Sequence, residues 1–255
     1  MTTEKMLALV KMAAEKMQDE TERNTYKYAL EHAPELCETL PTTGAILAYL
    51  AHELEQDSRK AAARSAGRAS QLKAFENIVN SAKAAYKNKK DTHGTFLAKS
   101  GARALCDGFR AVRITNPAVT MPEDAPEKCD FDVDRAFPTD RTENDRAALP
   151  SASELRALIK NARADFRLKT GKRGTKCPMV WEFTARTGAK CYYNAAYLLD
   201  MLEALPGAIA YTGARHIDML YFSSGDGDAI LLPISKIGQN TYILNAAPKA
   251  NEKTA

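Results

Sequence analysis

Asp130, Asp132 and Asp134 alternate in Cys-Asp-Phe-Asp-Val-Asp-Arg, the spacing at which a calcium loop gathers its first carboxylates. Such a loop also needs glycine at its sixth position and a carboxylate at its twelfth. Arg135 and Arg141 stand there instead, so the run reads as a solvated acidic loop. Asp226 and Asp228 lie in Ser-Ser-Gly-Asp-Gly-Asp, where Asp-Gly between two apolar runs signals a hairpin turn. The five cysteines, Cys37, Cys106, Cys129, Cys177 and Cys191, form no Cys-x-x-Cys pair and have no histidine at ligand spacing. Cys106 lies in an apolar run, reads as a small core residue, and has no base beside it to make a thiolate. His32, His52, His93 and His216 belong to no nucleophile or zinc motif, and Ser100 has no nucleophile elbow around it. The expectation is a non-enzymatic chain with no catalytic residue, no metal and no cofactor. Carboxylates for a metal-dependent nuclease would have to come from the acidic run.

Cations are the more suggestive residues. Lys60, Arg64 and Arg68 recur every four positions and would form one stripe on a continuous helix. Lys83, Lys87, Lys89 and Lys90 form a second group, and Lys169, Lys172, Arg173 and Lys176 a third. Several cations on one face can bind phosphates by releasing counterions. A solvated surface carries the same charges. Lys60, Arg64, Arg68, Lys83, Lys87, Lys89, Lys90, Lys172 and Arg173 are the candidate DNA-binding residues.

The elements that would position them differ along the chain. Met6, Leu9, Val10, Ala13 and Met17 recur at helical spacing, and a second helix over 22–33 ends at Pro34. A third starts near Thr43 with Ile46, Leu47, Leu50 and Leu54 on one face, and Gly67 is placed to interrupt it. Leu72, Phe75, Ile78 and Val79 mark a fourth, ending near Tyr86. Strands are expected over 95–99 and 102–114. A Pro- and Asp-rich surface excursion follows over 116–150. Ser151 or Ser153 caps a helix with Leu155, Leu158 and Ile159 inward. Cys-Pro-Met-Val-Trp-Glu-Phe-Thr reads as a strand. Asn194 caps a helix whose apolar face is Tyr197, Leu198, Met201, Leu202 and Leu205, stopped at Pro206-Gly207. Ala-Ile-Ala-Tyr-Thr, His-Ile-Asp-Met-Leu-Tyr-Phe, Ala-Ile-Leu-Leu-Pro-Ile and Thr-Tyr-Ile-Leu-Asn-Ala read as strands. This is an α+β chain. The organisation expected is a helical region over 1–68, an α+β domain over 69–245 and a flexible tail over 246–255.

The chain has 255 residues, 45% of them hydrophobic and 27% charged, enough for a core without staples. The net charge of +4 permits nucleic acid without demanding it, and argues against a DNA mimic, which needs an acidic surface. No apolar run approaches the roughly 18 residues of a membrane span. The N-terminus mixes charges of both signs and is no signal peptide. The unpaired cysteines suit a reducing cytoplasm.

Two stretches together resemble the bacterial β sliding clamp, the ring that tethers DNA polymerase. Leu105-Cys106-Asp107-Gly108-Phe109-Arg110-Ala111-Val112 is similar to the clamp's strand, Asp-Gly-x-Arg corner and following strand. Tyr193-Asn194-Ala195-Ala196-Tyr197-Leu198-Leu199-Asp200-Met201-Leu202 and the later Ala229-Ile230-Leu231-Leu232-Pro233-Ile234 are similar to the helix and terminal strand of its last domain. The likeness covers roughly Gln71 to Ile234, with a poor match over 116–176 and none over the first seventy residues. It implies a helical N-terminal region followed by a clamp-like domain of antiparallel sheet with packed helices. A chain of this length holds one such domain, and a ring would need more subunits. The combination resembles phage or mobile-element proteins. In clamps the two motifs line an apolar cleft that takes short peptides from polymerases. Carried over, the groove residues are Gly108, Phe109, Arg110 and Ala111 with Leu231, Leu232, Pro233 and Ile234, the arginine at the groove's edge. The function implied is a clamp-like protein of replication or DNA handling. Its partners would be double-stranded DNA and a protein peptide, with a homo-oligomer as a further partner and no membrane. The alternative is a phage inhibitor or adaptor that binds a host replication or defence complex.

Overall fold

The computed structural model describes residues 43–87, 95–122, 132–137, 146–170, 177–185, 187–213, 217–235, 237–238 and 241–245. The chain divides into two compact units, Met1–Ala69 and Ser70–Ala255. The helices expected before residue 43 lie outside the described residues.

In the first unit, helix α1 spans Thr43–Ser65. Its end is a Schellman motif. The Gly67 amide donates to the Arg64 carbonyl at 3.0 Å and the Arg68 amide to the Ala63 carbonyl at 2.7 Å. The motif needs a left-handed residue, and Gly67 supplies it at φ +69° without a Cβ penalty. The basic stripe therefore breaks: Lys60 and Arg64 project from the helix, while Arg68 lies beyond its end.

The second unit is α+β. It contains helices α2 (Ala69–Lys87), α3 (Ala152–Thr170) and α4 (Ala195–Ala204). Strands β1 (Thr95–Leu97), β2 (Arg103–Cys106), β3 (Arg110–Ile114), β6 (Ile209–Thr212), β7 (Leu220–Ser224) and β8 (Gly227–Leu231) form one antiparallel sheet in the order β1-β2-β3-β8-β7-β6. That order is symmetric. One helix plus a three-strand meander, α2-β1-β2-β3, faces another, α4-β6-β7-β8, and the inner strands β3 and β8 pair antiparallel with Arg110 opposite Leu231. A second sheet orders β5 (Lys190–Asn194), β4 (Met179–Thr184) and β9 (Tyr242–Ile243), the last pair parallel. That parallel pair departs from the all-antiparallel expectation.

Alternation divides the large sheet's side chains between two cores, because successive residues of a strand point to opposite faces. Leu105, Val112, Ile114, Leu220, Phe222, Ala229 and Leu231 join Phe75 and Ile78 of α2, Leu155 and Ile159 of α3, and Leu198 and Met201 of α4 in the main core. Ala104, Cys106, Ala111, Tyr221 and Ile230 face the other way. Over them lie Val133 and Phe137, 1% and 5% exposed, which flank and belong to a short 3-10 turn at Val133–Ala136. The acidic stretch expected as a surface excursion thus puts two apolar side chains into a core. Near its end Arg146 bridges Tyr211 on β6, and the Ala147 amide donates to the Ala210 carbonyl at 2.8 Å.

Local chemistry sets the element ends. Ser151 and Glu154 form a capping box on α3: the Glu154 amide donates to Ser151 Oγ at 3.2 Å and the Ser151 amide to Glu154 Oε2 at 2.8 Å. Asn194 Oδ1 accepts from the amides of Ala196 and Tyr197 at 3.0 and 3.2 Å, capping α4. The β7–β8 hairpin turns over Gly225 and Asp226, with Ser224 opposite Gly227.

Candidate partner corner and basic residues

The β2–β3 corner is built by Asp107. Its Oδ1 accepts from the amides of Phe109 and Arg110, both at 3.0 Å, which closes the turn. Gly108 takes φ +82°, the left-handed region that a turn here requires. The turn leaves Phe109 outside, 47% exposed, and sends Arg110 inward, 3% exposed.

Arg110 holds two elements together. Its Nε donates to Asp107 Oδ2 at 2.9 Å, its Nη1 to Asp200 Oδ2 of α4, and its Nη2 to the Asn77 carbonyl of α2 at 3.3 Å. Asn77 Nδ2 in turn donates to Asp200 Oδ1 at 2.7 Å. The guanidinium lies 4.1 Å from the centre of the Tyr197 ring, a cation–π contact. Burial pushes the Asp200 carboxyl above its ordinary range, and the pull of Arg110 and Asn77 only partly opposes it. The expectation that Arg110 edges a groove is corrected: a guanidinium sunk between two buried carboxylates is a structural tie.

The two candidate groove segments, more than a hundred residues apart in sequence, meet. The Leu232 amide donates to the Phe109 carbonyl at 2.9 Å, continuing the β3–β8 ladder past Arg110 and Leu231. Ala111 and Leu231 are buried at 1% and 0%, so they support this edge from inside rather than face a partner. Gly108, Phe109 and Leu232 are exposed, and Pro233 and Ile234 are half-buried. Beyond β8 the Ile234 amide donates to the Tyr192 carbonyl at 2.7 Å, which carries the chain across to β5. Phe109 packs toward Tyr197, with ring centroids 6.1 Å apart. Tyr197, Asp200 and Asn77 were not among the sequence candidates. The helix motif named Tyr197 and Asp200 by spacing, but nothing local tied them to Arg110.

The DNA candidates that the structure describes belong to both units. Lys60 and Arg64 are exposed on α1 of the first unit, and Lys83 is exposed on α2 of the second. Lys87 closes α2. Lys89, Lys90, Lys172 and Arg173 lie outside the described residues. Of the acidic run, Asp130 lies outside them as well. Asp132 pairs with Lys99 at 2.8 Å, and Asp134 with Arg113 at 2.9 Å while accepting from the Ser100 amide at 2.8 Å. These carboxylates neutralise cations beside the sheet. Among the described residues no group of three or more His, Cys, Asp or Glu converges as a metal site, and no helix is long and apolar enough to cross a membrane. Set against known proteins, the chain matches no protein-family model, no curated protein and no solved structure.

Proposed function

We propose that this chain is a clamp-like, non-enzymatic binding protein of replication or DNA handling, which associates with duplex DNA and takes a partner peptide at the Phe109–Leu232 corner. One observation carries the reading. The Asp-Gly-x-Arg corner and the Leu-Leu-Pro segment, the two motifs that resemble the clamp's peptide cleft, lie side by side through the Leu232 amide and the Phe109 carbonyl at 2.9 Å. Phe109 and Leu232 stay 47% and 38% exposed there. Large apolar side chains exposed together at the ends of two paired strands favour a partner that covers them.

Anisotropy with a fluorescent clamp-binding peptide from a bacterial polymerase tests the peptide half. Binding by the wild type and its loss in Phe109→Asp, with the fold intact by circular dichroism, supports the corner. No binding by the wild type sinks it. A band shift with duplex DNA across a salt series tests the DNA half. A wild-type chain with no DNA affinity that instead holds a single host complex stoichiometrically favours the inhibitor or adaptor reading.

A further inference from the structure

Helix α3 carries Arg156, Lys160, Arg163 and Arg167 at intervals of four, three and four. On a helix with 3.6 residues per turn that spacing keeps all four in one row. Eleven residues at the helical rise stretch the row over about 16 Å. The adjoining face, about 100° round the helix, is fixed in the main core through Leu155, Ile159 and Ala162. The row thus borders the core face, on the side of α2 and α4. With Asn77 of α2 and Ala196, Leu199 and Asp200 of α4 it lines a cavity of about 540 Å³.

The helix's own acids stand away from the row. Glu154 is held by Ser151, and Asp165 by Lys169 and Tyr242. Arg156, at one end, pairs with Glu203. Among the described residues Lys160, Arg163 and Arg167 form no ion pair and are exposed. Like charges three and four apart on one helix face repel, so the row weakens the helix that bears it. The core contacts and the capping box of α3 carry that cost, and an anionic ligand along the row would relieve it.

We propose that the α3 groove is a phosphate-backbone site for duplex DNA, with Lys160, Arg163 and Arg167 as its contacts; this rests on the DNA-associated reading and gives it a location. A row about 16 Å long fits a linear polyanion better than a single phosphate, which needs cations that converge. One strand of DNA carries a charge every 3.4 Å along the axis, so the row runs beside about five phosphates. The floor cannot read bases. Asn77 Nδ2 is committed to Asp200, and Asp200 to Arg110. An anionic membrane suits the row less, because the apolar face of α3 is spent on the core and Leu168 is its one large apolar side chain left exposed.

The test is anisotropy of a fluorescent duplex on the full chain over a salt series. Three contacts give a slope of log affinity against log salt of about −2.7, so affinity falls about 40-fold between 50 and 200 mM. Lys160→Ala with Arg163→Ala reduces the slope to about −0.9 and that fall to about 3.5-fold. Lys190→Ala, which removes an exposed cation of β5, keeps the wild-type slope. A wild type that binds no duplex overturns both the reading and the groove. A wild type that binds, with a double variant of unchanged affinity and slope, overturns the groove and leaves the reading standing. Equal displacement by inorganic phosphate at matched ionic strength, or tighter binding to phosphatidylserine vesicles that is lost in the same variant, also overturns the assignment to DNA.

Discussion

Replacing Arg110 with methionine removes the one cation between two buried carboxylates while keeping the length of the side chain. Asp107 and Asp200 are 0% and 7% exposed, so neither can turn to water for the lost charge. Breaking a buried pair from one side costs about 3–5 kcal/mol, because a charge is left without compensation. At about 2–4 °C per kcal/mol for a unit of this size, the midpoint falls by about 6–20 °C. The deficit depends on pH, and its sign follows from Asp200. Burial already holds that carboxyl above its ordinary range, and losing Arg110 raises it further. A carboxyl with a raised folded pKa contributes stability below its unfolded value, about 3.9, and loses it as pH rises through the folded value. The variant is therefore worst at neutral pH and recovers toward wild type in mild acid. Asp200→Asn added to Arg110→Met recovers roughly 1–3 kcal/mol, the coupling of groups in contact. Trp181 is the only tryptophan of the chain and is buried in the second unit, so its fluorescence during urea unfolding follows that unit alone. A loss below about 1 kcal/mol, or a deficit equal at pH 5 and pH 8, would refute the account of this network.

Three further outcomes are expected. Gly227→Ala costs about 3 kcal/mol or more, since a Cβ there would sit 2.1 Å from the Arg113 carbonyl at φ +151°, whereas Gly225→Ala, in open space, stays within about 0.5 kcal/mol; chemical denaturation of both compares them. Ser151→Ala removes half of the capping box and costs about 1 kcal/mol, with faster hydrogen exchange at the first turn of α3. The turn at Val133–Ala136 releases only in strong acid. Lys99 holds Asp132 below its ordinary range and Arg113 does so for Asp134; burial pushes Asp228 up, but Arg113 and Tyr221 outweigh it. A depressed carboxyl contributes stability above its unfolded value and loses it as pH falls through the folded one. Protection of the Arg135 and Phe137 amides is thus flat above about pH 4 and drops below it, and a drop near pH 6 in exchange mass spectra would contradict these pairings.

The fold was legible where local patterns are strong. Asn194 reads as a cap and Pro206-Gly207 as a stop because both act within one turn of helix. The Asp107-Gly108 and Gly225-Asp226 turns are likewise set by neighbours in sequence. Strand β5 was hidden, since Lys190–Asn194 runs straight into α4 and shares its apolar composition. The parallel pairing of β9 with β4 left no trace, because a two-residue strand has no period. Burial of Val133 and Phe137 was masked by the aspartates around them. The candidate corner was half legible. Its two segments are visible as motifs, but Arg110 was placed on the surface because its partners Asn77 and Asp200 are 33 and 90 positions away. The α3 row had a readable signal in its four-three-four spacing, which clustering by adjacency overlooks.

The corner and the groove share a skeleton, and that sharing makes them separable by experiment. Asp107 shapes the turn that exposes Phe109, Arg110 ties the turn to α4, and Asp200 at the other end of that tie forms part of the groove floor. A change at Arg110 displaces both the Phe109 end of the turn and the wall formed by α4, so under the proposed function peptide and DNA binding fall together with stability. Phe109→Asp touches only the exposed end of the chain of contacts, and the Lys160 and Arg163 substitutions only the far wall. Each should remove one ligand and spare the other. Were the two sites unrelated surface features, Arg110→Met would leave at least one of the two affinities at its wild-type value in the fraction that remains folded. Joint loss from the middle of the network, with single losses from its ends, is the pattern that a common support through Arg110 and Asp200 requires.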